Sequence, residues 1–156
     1  IFHWLAHGFS VRHGASEISP ELFLQRMHSK QSLLIYDVRA PKEQNISIIP
    51  GAICVDENTE LFDRKELQQF IELHPQGKII VYCAGGLRAS KSAKKLMSRL
   101  SRQSTTIVYS LYGGIFGYAN AGGALVSMHD HSTTNKVHGC TKTWAKFLDP
   151  PNMAVF

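Results

Sequence analysis

Lys78–Ala93 reads KIIVYCAGGLRASKSA. Ile79, Ile80, Val81 and Tyr82 form a short apolar run rich in β-branched residues, which fits a strand covered on both faces. Cys83 to Arg88 follow as a tight loop, where Gly85 and Gly86 let the backbone curl without Cβ clashes. From Ser90 onward, Lys91, Ala93, Lys94, Lys95, Leu96 and Met97 favour helix. A cysteine between the carboxyl end of a strand and the start of a helix stands where an open α/β sheet places its ligand.

Such a loop favours a thiolate. Curled backbone N–H groups make an anion-binding nest, the positive end of the next helix adds to it, and Arg88 brings a permanent positive charge. All three lower a thiol's pKa, so Cys83 is expected to be a nucleophile near neutral pH. An inert, buried cysteine is the ordinary reading of a lone Cys at a strand end. Gly85, Gly86 and Arg88 tip the balance toward a reactive one.

The segment Cys83-Ala84-Gly85-Gly86-Leu87-Arg88 resembles the active loop of rhodanese-like domains, with Cys first, Gly fourth and Arg sixth. Other pieces fall in that family's order. Leu33 to Arg39 is similar to its strand followed by Asp-x-Arg. Glu43 and Ile49-Pro50-Gly51-Ala52-Ile53 resemble its Glu…Ile-Pro-Gly-Ala segment, and Tyr109 to Ile115 its last strand and Gly-Gly turn. The resemblance runs from about Glu17 to Leu125. Ile48 departs from it, since many members carry His there; the position reads as structural rather than catalytic.

The remaining pattern agrees with an α/β fold: a central, mostly parallel sheet with helices on both faces. Residues 1–14 form an N-terminal extension, 15–125 the domain, and 126–156 a C-terminal extension that docks back on it. Ala15 to Ile18 is an entry strand. Ser19-Pro20 starts a helix, with Ser as N-cap and Pro at the first helical position; Leu22, Phe23 and Met27 form its buried side. Leu33 to Val38 is the second strand, Pro41 to Asn45 a short turn or helix, and Gly51 to Asp56 a strand carrying Cys54 as a buried free thiol. Thr59 to Leu73 reads as one amphipathic helix through Leu61, Phe62, Leu67, Phe70 and Ile71, ended by His74-Pro75-Gln76-Gly77. Thr106 to Ser110 is the last strand, and Ile115 to Asn120 a short helix. Trp144, Phe147 and Leu148 make the apolar face of a further helix, stopped by Asp149-Pro150-Pro151.

The 156 residues suffice for one domain with a proper core. No apolar run approaches the roughly 20 residues that span a bilayer, no signal-peptide pattern is visible, and the chain begins with Ile rather than Met. Three cysteines are too few for a disulfide framework, which points to a reducing, cytoplasmic setting. Of the formal net charge of +5, much lies on Arg88, Lys91, Lys94, Lys95, Arg99 and Arg102. The plain reading is a solvated helix face; the sharper one is a rim that steers anions toward Cys83. No nucleic-acid motif accompanies the charge, so nucleic-acid binding is not expected. His3, His7 and His13 lack acidic or Cys partners nearby, which argues against a metal site in the N-terminal segment. His129, His131, His138 and Cys140 match no compact zinc motif, so no metal is expected there either. Cys140 has a second sharp reading, a resolving thiol that meets Cys83.

The loop length selects the chemistry. Cysteine phosphatases and the related cell-division phosphatases use a loop one residue longer, which wraps a tetrahedral phosphate. A shorter nest suits a smaller group, such as the terminal sulfur of a persulfide. The expected activity is therefore sulfur transfer. Cys83 takes a sulfane sulfur from a small anionic donor, thiosulfate or a persulfide, and passes it to cyanide, a thiol or a protein acceptor, with no cofactor. Ala84, Gly85, Gly86 and Leu87 act through backbone, while Arg88 holds the loop and attracts the anion. The plain reading of Asp37 and Arg39 is a local cap or ion pair; the functional one is that Asp37 braces the loop, through the loop N–H groups or Arg88, a role the resemblance implies, and Arg39 is a further candidate, for substrate-anion contact. A phosphatase or arsenate reductase on the same fold, and a binding module without turnover, are the alternatives.

Overall fold

The computed structural model describes residues 16–100, 102, 104–149 and 153–156. The segment Ile1 to Gly14, with its three histidines, lies outside them. Five parallel strands form the central sheet: β1 (Glu17–Ile18), β2 (Leu33–Asp37), β3 (Ile53–Cys54), β4 (Lys78–Tyr82) and β5 (Ile107–Leu111), in the spatial order β1-β5-β4-β2-β3. β4 is the middle strand, with Ile80 opposite Ile35 on one side and Tyr109 on the other. After β2 the chain moves outward to β3, and after β4 it moves outward in the opposite direction to β5. The strand order therefore reverses between β2 and β4, and the crevice at their carboxyl ends is where such sheets bind ligands.

Alternation along these strands feeds two cores. Leu34, Tyr36, Val38, Ile79 and Val81 face one side, with Leu67 of α3 (Lys65–Leu73) and Ala89, Ala93 and Leu96 of α4 (Leu87–Arg99). Ile35, Ile80 and Tyr82 face the other, with Phe23 of α1 (Pro20–His28) and Phe116 and Tyr118 of α5 (Gly114–Asn120). Both faces being covered explains why β2 and β4 read as continuous apolar runs. Ser19 caps α1 by accepting the Leu22 N–H at 3.2 Å, and Pro20 takes the first helical position.

Several boundaries differ from the sequence expectation. Leu22 is 41% exposed, and Leu24 packs on the core in its place beside Phe23 and Met27. The long helix expected over Thr59 to Leu73 is two pieces, a 3₁₀ turn (Leu61–Asp63) and α3. Arg64 between them is extended at ψ 130°, which ends the turn and serves as N-cap for α3. β3 covers only Ile53–Cys54 of the expected strand. α4 begins at Leu87, so Arg88 sits in a helical first turn rather than in the loop. Pro41–Gln44 is a short helix, α2.

The C-terminal region packs on the same face as α1 and α5. Val126 pairs with Ile48 through reciprocal bonds, Ile48 N–H to Val126 O at 2.8 Å and Val126 N–H to Ile48 O at 3.0 Å. Ile48 is buried in this contact. β6 (Leu125–Val126) pairs with β7 (Thr133–Thr134), and β8 (Val137–His138) runs parallel to β9 (Ala154–Val155). α6 (Lys142–Ala145) is capped by Thr141, and Trp144, Phe147 and Leu148 pack on the second core. Asn120 fastens this region from α5: its amide donates to Phe147 O at 2.7 Å and its Oδ1 accepts the Asp149 N–H at 2.9 Å.

Candidate active site

Cys83 directly follows the middle strand at the point where the sheet order reverses, and only 2% of it is exposed. Its Sγ accepts the Gly86 N–H at 3.1 Å. Gly86 has φ +113°, a conformation that side chains disfavour, and is the N-cap of α4, so the helix's positive end opens beside the sulfur. The loop is pinned from below by α5. Ile115 N–H donates to Cys83 O at 2.8 Å and Phe116 N–H to Ala84 O at 3.2 Å. Gly114, at φ +58°, makes this approach possible, because a Cβ there would run into the Cys83 and Ala84 carbonyls.

A cavity of about 230 Å³ opens above Cys83, lined by Cys83, Ala84, Gly85, Leu87, Arg88, Cys140 and Trp144. The Trp144 ring lies against Gly85, where any Cβ would collide with it. A larger cleft of about 610 Å³, lined by Arg26, Gln31, Ser32 and His74 to Lys78, sits at the amino ends of β2 and β4. It is therefore at the wrong end of the sheet for the site that the topology builds.

Arg88 is held by Glu43, not by Asp37. Its Nη1 donates to Glu43 Oε2 at 2.7 Å and its Nη2 to Oε1 at 2.8 Å. Ala40 N–H adds a third bond to Oε2 at 2.9 Å. The side chains are 23% and 3% exposed respectively. Burial pushes the Glu43 carboxyl up, but the bonds from Arg88 and the Ala40 N–H outweigh it and hold the group below its ordinary value. The bonds to Glu43 raise Arg88 in turn, and it stays charged. This bidentate pair ties the first turn of α4 to α2, and so fixes the far side of the cysteine loop.

Replacing Glu43 by Gln is expected to cost about 1–3 kcal/mol at neutral pH, because Arg88 keeps a neutral acceptor only. The folded pKa lies below the unfolded value near 4.5. The carboxylate's contribution is therefore complete above that value and is lost as pH falls through the folded pKa. Urea denaturation between neutral pH and about pH 3 should show the gap between wild type and Glu43→Gln narrowing as pH falls. A gap that stays constant would detach Glu43's contribution from its charge.

Asp37 and Arg39 form a separate, fully buried cluster below the loop. Asp37 Oδ1 accepts the Arg39 N–H and Nε at 3.0 Å, and its Oδ2 accepts Arg39 Nη2 and the Tyr82 hydroxyl, both at 2.7 Å. Arg39 Nη2 also donates to Ser47 O at 2.6 Å, and Gln44 Nε2 to the carbonyls of Asp37, Arg39 and Val55. The Tyr82 hydroxyl accepts the Ile49 N–H at 3.1 Å. Arg39 has no exposed surface, so it cannot contact a substrate anion. Asp37 bonds neither Arg88 nor a loop N–H; its carboxylate meets Tyr82, the residue before Cys83.

The other singled-out residues fall elsewhere. Cys54 is half-buried, and burial followed by the Asp37 charge pushes its thiol up to about 11. Lys91, Lys94, Lys95, Arg99 and Arg102 are exposed on α4 and just beyond it. Lys95 pairs with Glu60 at 2.7 Å, and Arg99 lies 3.9 Å from Glu60 and 3.8 Å from Asp63. His129 and His131 are exposed while His138 is buried, and among the described residues no three metal-ligating side chains converge. Among them, too, no helix is long and apolar enough to cross a membrane.

The sequence matches the rhodanese-like domain profile over residues 19–121. The chain belongs to the rhodanese-like domain family. The crystal structure of a thiosulfate sulfurtransferase from Pseudomonas aeruginosa shares the fold with TM-score 0.61 and 21% identity, covering 96% of this chain and 26% of that one. A rhodanese-related protein from Thermoplasma volcanium superposes with TM-score 0.54 and 21% identity, over 71% of this chain and 97% of that one. In sequence, a tRNA uridine(34) hydroxylase from Leptospira interrogans is 31% identical over 115 residues, which are 72% of this chain and 29% of that protein. The rhodanese-like chain thus spans less than a third of the length of that relative.

Proposed function

We propose that this rhodanese-like domain is a sulfurtransferase that carries sulfane sulfur on Cys83. The observation that carries the reading is the Cys83 sulfur at the floor of a small cavity, facing the Gly86 N–H and the positive end of α4. Four residues separate it from Arg88, a nest shorter than a phosphatase loop. The Cys83 thiolate attacks the outer sulfur of thiosulfate. One S–S bond forms, the bond within thiosulfate breaks, and sulfite leaves with the electron pair. The loop N–H groups and the helix terminus stabilise the terminal negative charge of the Cys83 persulfide. Cyanide or a thiol then attacks that terminal sulfur, and Cys83 leaves as thiolate. The chemistry needs a small anionic donor and a nucleophilic acceptor, and no metal or organic cofactor. A reducing compartment such as the cytoplasm suits three free thiols.

The test is intact mass after incubation with thiosulfate, with and without cyanide. A gain of one sulfur atom that maps to Cys83 and is cleared by cyanide is the expected result. No adduct from thiosulfate or from glutathione persulfide, with Cys83 still open to alkylation, would overturn the reading.

The sequence relatives favour one further reading, that the domain belongs to a protein acting on tRNA. The exposed Lys91, Lys94 and Arg102 are compatible with phosphate contacts, although Lys95 and Arg99 are engaged by Glu60 and Asp63. Salt-dependent binding of unmodified tRNA would support this reading, and its absence at low salt would remove it.

A further inference from the structure

Cys140 and Cys83 come from segments far apart in sequence, yet both line the cavity above the loop. Cys140 sits at φ +62°, a left-handed conformation uncommon outside glycine. The turn that imposes it is held by three bonds: Cys140 N–H to His138 Nδ1 at 2.9 Å, Gly139 N–H to Val155 O at 2.8 Å, and Thr141 N–H to Gly139 O at 2.6 Å. A backbone held this way presents a half-buried thiol to the same space as a buried one.

We infer that Cys140 is a relay thiol, which takes the sulfane sulfur from the Cys83 persulfide and offers it nearer the surface to an acceptor too bulky to enter the cavity. The inference rests on the sulfur-transfer reading of Cys83. Geometry selects the sulfur that Cys140 attacks. Displacement at sulfur runs in line with the departing bond. Attack on the inner sulfur would have to come from the floor, where the Gly86 N–H and the loop backbone lie. The terminal sulfur, about 2 Å farther out, stands in the cavity that Cys140 helps to line. The new bond therefore joins Cys140 Sγ to the terminal sulfur, and the bond from that sulfur to Cys83 breaks. Its electron pair stays on Cys83, as the thiolate the loop accommodates. The Cys140 thiol proton ends on the transferred sulfur, and no external oxidant or reductant is consumed. Cys83 is buried in this cavity while Cys140 is half-buried, so a macromolecular thiol gains from the more exposed carrier.

Wild type, Cys83→Ser and Cys140→Ser proteins are loaded with thiosulfate, trapped with iodoacetamide and mapped by peptide mass. Transfer is also timed to cyanide and to the free thiol of serum albumin. The relay predicts sulfur on both the Cys83 and Cys140 peptides of wild type, on neither in Cys83→Ser, and on Cys83 alone in Cys140→Ser. Cys140→Ser should slow transfer to albumin at least ten-fold more than transfer to cyanide. Sulfur confined to Cys83 in wild type, with albumin transfer equal in both proteins, would overturn the relay and leave the transferase standing. Loading of Cys140 in Cys83→Ser would also overturn it, since the donor would then reach Cys140 directly. Absence of sulfur from both cysteines in wild type would remove the transferase reading and the relay together.

Discussion

Cys83→Ser is expected to abolish persulfide formation and to lower sulfur transfer to cyanide by at least about 10³-fold, the scale seen when a covalent nucleophile is removed. Serine keeps the shape of the side chain, and its hydroxyl can still accept the Gly86 N–H. The loop bonds from Ile115 and Phe116 are backbone to backbone and do not involve the sulfur. Stability should therefore fall by no more than about 1–2 kcal/mol, the cost of placing a hydroxyl where a thiol packed. Thiocyanate production gives the rate, and urea denaturation shows whether the variant is folded. A folded Cys83→Ser protein that still makes thiocyanate would take Cys83 out of the mechanism. A folded wild type that binds a bulky partner but never gains sulfur would instead favour a module without turnover.

Much of this site is legible in sequence because it is local. Ile79 to Cys83, Gly85, Gly86 and Arg88 lie within ten residues, and strand, nest and helix start can be read from residue type alone. β2 and β4 are equally plain, since burial on both faces makes each a continuous apolar run. What escapes the sequence is long-range pairing. Glu43 and Arg88 are 45 residues apart, and no local pattern says that Glu43, rather than Asp37, holds the arginine. Cys140 joins the cavity through a turn whose bonds run to His138 and Val155, again invisible in spacing. Helix periodicity misleads where the backbone breaks inside a run. Leu61, Phe62 and Leu67 suit one helix, but Arg64 is extended and splits it. Arg39 misleads for a different reason: arginine is ordinarily a surface residue, and nothing in Asp37-Val38-Arg39 announces that both charges are buried together.

That buried pair leads to the second large effect. Arg39→Ala is expected to destabilise the domain by about 3–5 kcal/mol, because Asp37 would be left as a buried carboxylate with the Tyr82 hydroxyl and the residue-39 backbone N–H but no cation. Asp37→Ala should cost a similar amount, since it strands the Arg39 guanidinium, which now bonds Asp37 and the Ser47 carbonyl. With a total stability of about 5–15 kcal/mol for an ordinary domain, either change removes a large part of it. The two losses should not add. Once one charge is gone, removing the other also removes an unpaired buried charge, so the double variant should be no worse than the poorer single one. Tyr82→Phe deletes only a neutral donor to Asp37 and an acceptor for Ile49 N–H, and should cost about 1–2 kcal/mol. Urea midpoints of the four variants decide the matter. Additive losses, or an Arg39→Ala cost below about 1 kcal/mol, would mean that the pair behaves as if solvated. The folded fraction of each variant should still load Cys83 with sulfur, because Asp37, Arg39 and Tyr82 do not line the cavity above it. Loss of loading in fully folded Arg39→Ala would instead restore Arg39 as a group that the donor senses.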